Sequence, residues 1–189
     1  MKTKVLILGA IVVVIWSLEI IDLVVFRGGL NQFGIRPRDL EGFWGILFAP
    51  FLHGDLYHVS ANTVPFVILG WFTMLRGLGR FFLTTFLGIV LGGAGTWLIG
   101  APHSVHIGLS GVIFAYLGFL MLGAIFDRSF WAIIVSIVVT LLYGGMLFGV
   151  LPGTVGISWE AHLCGFLSGS LSAKLGARKE SSNERFPAR

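Results

Sequence analysis

Ser110-Gly111-Val112-Ile113-Phe114-Ala115-Tyr116-Leu117-Gly118-Phe119-Leu120-Met121-Leu122-Gly123-Ala124-Ile125-Phe126 is a run of 17 residues without a charged side chain. As an α-helix it would span about 25 Å at ~1.5 Å per residue. The hydrocarbon core of a bilayer is about 30 Å thick. A span that begins at Ser110 therefore starts several ångströms below one membrane surface, and the backbone before it must dip inward. Irregular backbone at that depth is tolerated only where protein or a water-filled cavity surrounds it. A sunken, wet pocket is implied.

Working outward, five further apolar segments cover residues 5–26, 57–75, 81–99, 130–150 and 159–175. The chain has 189 residues, 56% hydrophobic and 12% charged, and its mean hydropathy is +0.91. Soluble domains run about 45–50% apolar and about 25% charged, so a water-soluble globular protein is excluded. Six spans use ~120 positions and leave room only for short loops. The expected architecture is an all-α membrane protein, one six-helix bundle over residues 1–175 with a basic tail over 176–189. The fourth helix is short and central. Met1-Lys2-Thr3-Lys4 before an apolar run has the look of a signal peptide. The run is too long for one and no A-x-A-like site follows, so an uncleaved first span is expected. The long connection between residues 27 and 55 reads as a loop rich in Gly, Pro and aromatics.

The net charge of +4 does not indicate nucleic-acid binding, because the basic residues sit at chain ends and in short loops. With the N-terminus in the cytoplasm, ten basic residues fall inside: Lys2, Lys4, Arg76, Arg80, Arg128, Lys174, Arg178, Lys179, Arg185 and Arg189. Only Arg27, Arg36 and Arg38 fall outside. That bias predicts two cytoplasmic termini, with the long loop outside. The tail suits anionic lipid headgroups.

Under this topology spans two, four and six enter from the outer side. His58 and Asn62 lie i, i+4 on span two, Ser110 opens span four, and His162 lies near the start of span six. Polar side chains within membrane segments are costly and default to a functional role. Gly111, Ala115 and Gly118 on span four, and Gly165-x-x-x-Gly169 on span six, form small-residue faces that let two helices approach closely. Packing those faces together carries Ser110 toward His162.

Gly108-Leu109-Ser110-Gly111, then Ala161-His162-x-x-Gly165-x-x-x-Gly169, with His58-x-x-x-Asn62 upstream in Phe51-Leu52-His53-Gly54-Asp55-Leu56-Tyr57-His58, resemble the rhomboid intramembrane serine proteases, in the same order, from about Trp44 to Gly169. The resemblance implies a six-span intramembrane endopeptidase acting on single-span membrane proteins. It makes Ser110 the nucleophile and His162 the general base. His58, Asn62 and the Ser110 backbone N–H are the implied oxyanion donors. It involves no cofactor, metal or nucleic acid. Two departures stand out. Many members carry Trp-Arg in the first loop where this chain has Trp44-Gly45, and some carry Tyr where this chain has Phe114. A Phe114 ring retains stacking on His162 and forgoes a hydroxyl hydrogen bond.

Other residues read as structural. A lone serine is more often a helix cap than a nucleophile, and it is the pairing with His162 at matched depth that reverses this for Ser110. His53 reads as structural, and His103 and His106 lack a neighbouring carboxylate for metal binding. Cys164 faces about 200° from His162 on the helix and reads as packing. Pro65 is expected to bend span two. Gly144-Gly145 weakens span five locally. No Asp or Glu is read at membrane depth to complete a triad, so a Ser-His dyad is the expectation. His-Glu-x-x-His and a pair of intramembrane aspartates are absent, which argues against zinc and aspartyl intramembrane proteases. A transporter would show repeat symmetry, and a non-catalytic binder would be expected to lose Ser or His.

Overall fold

The computed structural model describes residues 1–153 and 156–185, without the side chains of 178–185. Arg189 and the side chains of Arg178, Lys179 and Arg185 in the expected tail lie outside that description. Among the described residues there are eight α-helices, some of them joined by short π and 3-10 turns: α1 Lys2–Ile21, α2 Gly45–Phe48, α3 Leu56–Leu75, α4 Leu78–Leu87, α5 Gly93–Ile99, α6 Ser110–Asp127, α7 Phe130–Tyr143 and α8 Trp159–Arg185. Among the described residues, five segments are long and apolar enough to cross a membrane: Lys2–Phe26, Leu56–Leu75, Leu78–Ile99, Ser110–Asp127 and Phe130–Val150. The fold is an all-α membrane bundle.

The sixth expected span is helical but does not reach the same apolarity, and its helix runs on past residue 175. The reason lies in its position. α8 packs against α6 more extensively than any other two elements meet, so it faces protein rather than lipid. It therefore carries Ser168 and Ser172, both buried. Ser172 shares a 2.7 Å hydrogen bond with Thr84 on α4, and Thr85 shares another of 2.7 Å with Tyr116 on α6. Such bonds between membrane helices contribute about 0.6 kcal/mol each.

Helix starts follow local capping chemistry. The Asp55 carboxylate accepts the His58 N–H at 2.7 Å and starts α3. Ser129 accepts the Ala132 N–H at 3.2 Å and starts α7. α3 continues through Pro65 without a break. α7 stops at Tyr143, and Gly144–Val150 continues as a 3-10 helix, the tighter form favoured where glycines weaken the α ladder. At the end of the bundle opposite Ser110, Asp127 pairs with Arg76 and, at 3.2 Å, with Arg80. This ties α3, α4 and α6 together.

The long first connection is more structured than its composition suggests. Short 3-10 turns and α2 fill it, and Ile35, Ile46 and Ala49 form a second small core against Ala94 and Trp97 of the third span. Arg38 donates to the Leu98 carbonyl at 2.8 Å, and Arg36 pairs with Asp39 and Glu41, each at 3.1 Å. Arginine contacts in this loop thus come from positions other than the one beside Trp44, whose side chain is exposed.

Candidate active site

The segment leading to Ser110 is held on three sides. Ile35 and His106 form an isolated antiparallel bridge, exchanging two backbone hydrogen bonds of 2.9 Å. The Gly108 N–H donates to the Ala49 carbonyl at 2.8 Å, and the Leu109 N–H donates to His53 Nε2 at 3.4 Å. Gly108 has φ +113, a conformation side-chain-bearing residues rarely adopt. The position is also crowded: a Cβ there would sit 2.7 Å from His58 Nε2 and 3.5 Å from Asn62 Nδ2. Two polar groups of α3 therefore lie across the backbone two residues before Ser110.

α6 begins at Ser110 with Leu109 as its N-cap and no side-chain cap. The first N–H groups of a helix have no intrahelical partner and carry the positive end of the helix dipole. The Val112 N–H already donates to the Leu109 carbonyl at 3.0 Å; those of Ser110 and Gly111 remain available to a developing negative charge.

On α8, the His162 ring lies flat on Phe114 of α6, with centroids 4.1 Å apart and planes at 10°. Its Nδ1 is 3.0 Å from the Gly149 carbonyl oxygen. A carbonyl only accepts, so Nδ1 carries the proton and donates it. In the neutral ring, Nε2 is then the free base. The two helices meet closely at this end, since a Cβ on Gly165 would overlap the Gly111 carbonyl and one on Gly169 the Ala115 carbonyl. Ser110 is half-buried. Among the described residues its hydroxyl forms no hydrogen bond, including none to His162. Catalytic contacts are often loose before substrate binds and tighten in the complex.

His58 Nδ1 accepts the Gly54 N–H at 3.4 Å, which leaves the proton on Nε2, the nitrogen facing Gly108. Asn62 is 6% exposed and its Nδ2 has no partner among the described residues. A buried amide donor without an acceptor costs about 1–3 kcal/mol, which marks the place where an acceptor belongs. His53 is 1% exposed and stands edge-on to His58, centroids 5.0 Å apart. Burial, reinforced by the neighbouring His58, pulls its ionisation down to about 4. It is neutral at ordinary pH, as accepting the Leu109 N–H requires.

One placement departs from the sequence reading. Two acidic residues do lie within the first spanning segment: Glu19 and Asp22 are 2% and 3% exposed. They lie toward Asp55 at the start of α3, whose charge acts on Glu19. The carboxylate whose charge acts on His162 is that of Glu160, not either of the first-span pair. His103 and His106 diverge, His103 exposed and His106 buried between two serines. Cys164 packs onto the third span, where a Cβ at Gly95 would come within 2.6 Å of its sulfur. Gly149 carried no sequence signal as the anchor of His162, because the group it uses is a backbone carbonyl that every residue has.

A cavity of about 30 Å³ backs onto this segment, bordered by Gly88, Gly92, Gly93, Gly108, Gly111 and Ala161. It has room for little more than one or two water-sized groups.

Comparison with known proteins bears on this arrangement. The family model described as "Rhomboid domain" matches residues 40–179. An "uncharacterized protein" of Mycobacterium tuberculosis is 41% identical over 172 residues, covering 87% of this chain and 71% of its own. Another of Mycobacterium leprae is 42% identical over 169 residues, covering 85% of this chain and 66% of its own. A Bacillus subtilis protein named "Putative rhomboid protease YdcA" is 25% identical over 180 residues, covering 94% of this chain and 89% of its own.

Proposed function

Because this chain belongs to the rhomboid family of multi-pass membrane proteins, we propose that it is an intramembrane serine endopeptidase with Ser110 as nucleophile and His162 as general base. The observation that carries the reading is the fixed state of His162: Phe114 stacks on its ring and Gly149 holds the Nδ1 proton. A base so held offers Nε2 as its acceptor and cannot offer Nδ1.

In the proposed reaction a substrate carbonyl enters between Ser110 and the His58–Asn62 pair. As Ser110 Oγ attacks the carbonyl carbon, its proton passes to His162 Nε2. The negative oxygen that forms is held by the Ser110 N–H, His58 Nε2–H and Asn62 Nδ2–H. The intermediate collapses, the C–N bond breaks, and the leaving amine takes the proton from His162. Water, deprotonated by the same Nε2, then hydrolyses the ester on Ser110 and frees the enzyme.

The substrates in this reading are single-span membrane proteins unwound near small residues. Gly111, Gly165 and Gly169 serve the reaction by letting α6 and α8 close together. The orientation proposed is cytoplasmic termini, a basic tail over residues 176–189 against lipid headgroups, and a pocket opening outward. No cofactor, metal or nucleic acid enters the scheme.

The test is cleavage of a single-span reporter by purified protein in proteoliposomes. Wild type cleaves, and Ser110→Ala and His162→Ala fall to background. Asn62→Ala and His58→Ala each lower kcat by about 10²–10³ and weaken substrate binding less. Turnover by Ser110→Ala equal to wild type would overturn the proposal.

A further inference from the structure

His106 takes no part in the scheme above, yet it is buried, 7% exposed, in the segment that delivers Ser110. Both ring nitrogens are engaged. Nε2 lies 2.7 Å from Ser104 Oγ, and Nδ1 lies 2.5 Å from Ser158 Oγ. Proton positions follow from the remaining bonds. The Ser104 hydroxyl donates to the Ala101 carbonyl at 2.6 Å, so its oxygen accepts and His106 Nε2–H donates. In neutral His106, Nδ1 is then an acceptor and takes the Ser158 hydroxyl proton. Ser158 Oγ still accepts the Ala161 N–H at 3.3 Å. Every donor has an acceptor in this one arrangement.

Ser158 is where this chain of bonds reaches the base. Its side chain caps α8, and its carbonyl accepts the His162 N–H at 3.1 Å. Burial lowers the ionisation of His106, while Glu160 on α8, the charged group facing it, opposes that shift. Below its pKa, Nδ1 would carry a proton and donate it to Ser158 Oγ, and Ser158 would have to turn its own hydroxyl proton away from His106.

Resting on the dyad reading, we infer that His106 is a positioning residue: with Ser158 it clasps the lead-in to Ser110 onto the first turn of α8, and so sets where His162 stands relative to the nucleophile. The clasp joins residues 52 positions apart in sequence, between the two elements that must stay in register for a proton to pass from Ser110 to His162. The glycine seam fixes how closely α6 and α8 approach. Of its glycines Gly111 reaches the first turn of α8, where an added Cβ would lie 3.6 Å from the Ala161 carbonyl oxygen. That turn is the part the clasp holds.

Side-chain shape provides the test. His106→Asn keeps an acceptor oxygen near the Nδ1 position and so retains the Ser158 bond. His106→Gln places its amide near Nε2 and retains only the Ser104 bond. Two quantities are measured on each variant of the full chain in proteoliposomes: kcat and KM on the single-span reporter, and hydrogen exchange of the amides of 158–162. The expected result is that His106→Ala and His106→Gln lower kcat by about ten- to a hundredfold, with KM within about twofold and faster exchange. His106→Asn stays near wild type in both. Ser158→Ala lowers kcat alike, and adding His106→Ala to it costs little more, because the two act through one link.

Wild-type kcat per folded molecule in His106→Ala, or an Asn variant as slow as the Ala variant, overturns the clasp. Should Ser110→Ala cleave as well as wild type, the dyad reading fails on its own account. Exchange then decides the clasp: unchanged exchange in His106→Ala overturns it, and faster exchange there but not in His106→Asn upholds it.

Discussion

The fourth and fifth spanning segments are both apolar enough to cross a membrane, yet they sit in opposite surroundings. Half of the apolar stretch in Ser110–Asp127 is buried within the protein, against 6% of that in Phe130–Val150. Apolarity says that a helix tolerates a membrane. It does not say whether lipid or protein surrounds the helix. What separates the two is the pattern of small residues. α6 offers Gly111, Ala115 and Gly118 along one face, and α8 meets them with Gly165 and Gly169, where any added Cβ would strike backbone. Lipid tails are as apolar as leucine, so close packing of backbones, rather than hydrophobicity, holds membrane helices together. α7 carries no glycine and meets α6 through side chains such as Ser136, whose hydroxyl donates to the Met121 carbonyl. Its large side chains point outward, Leu141 being 80% exposed. The rigid pair carries Ser110 and His162, the proposed nucleophile and base. The lightly held segment lends a single carbonyl, that of Gly149.

The sharpest break in this comparison is a branched side chain in the seam. Gly169→Val would drive methyl groups into the Ala115 carbonyl, and the expected loss is about 3 kcal/mol or more. Leu141→Ala on the outer face of α7 should stay within about 0.5 kcal/mol of wild type. Thermal denaturation of both in the same detergent decides it, and equal losses would abolish the distinction.

Acid should act on the rigid side as well. His53 ionises near 4 in the folded protein against an ordinary value of 6.5. Between those values the unfolded chain binds a proton that the folded chain does not. Stability contributed by neutral His53 is therefore fully present above about pH 6.5, falls as pH drops toward 4, and is flat below. The loss amounts to at most about 3 kcal/mol. Melting in detergent across this range should show the decline, and His53→Asn should flatten it. A decline of equal depth in that variant would assign it to other groups.

A finer contrast lies within the 3-10 stretch itself. A Cβ on Gly149 would stand 3.1 Å from His162 Nδ1 and 3.3 Å from Phe114, while one on Gly145 meets nothing within 4 Å. Gly149→Ala should tilt His162 and lower kcat by about tenfold or more, and Gly145→Ala should leave it unchanged. Equal kcat in the two variants would mean that the Gly149 contact does not orient the base.

How much of this the sequence discloses depends on how local the signal is. Span limits were legible because hydropathy is a property of contiguous residues: 57–75 was expected and Leu56–Leu75 is found. The α6–α8 seam was legible because small residues repeat at helical spacing. Glu19 and Asp22 were not, since two acids within a long apolar run hardly lower its average. The internal order of the first loop was hidden as well, because 3-10 turns of three to five residues leave no 3.6-residue period. The roles of Gly149 and His106 lay beyond reach for a different reason. One acts through its backbone, and the other through partners two and 52 residues away.

The central claim, that Ser110 is a nucleophile activated by a pre-oriented His162, is tested most directly by a fluorophosphonate probe on the purified protein, with the labelled residue located by peptide mass spectrometry. The account predicts labelling at Ser110 in wild type, none in Ser110→Ala, and strongly suppressed labelling in folded His162→Ala, where the hydroxyl has lost its base. Labelling of Ser110→Ala equal to wild type would contradict it.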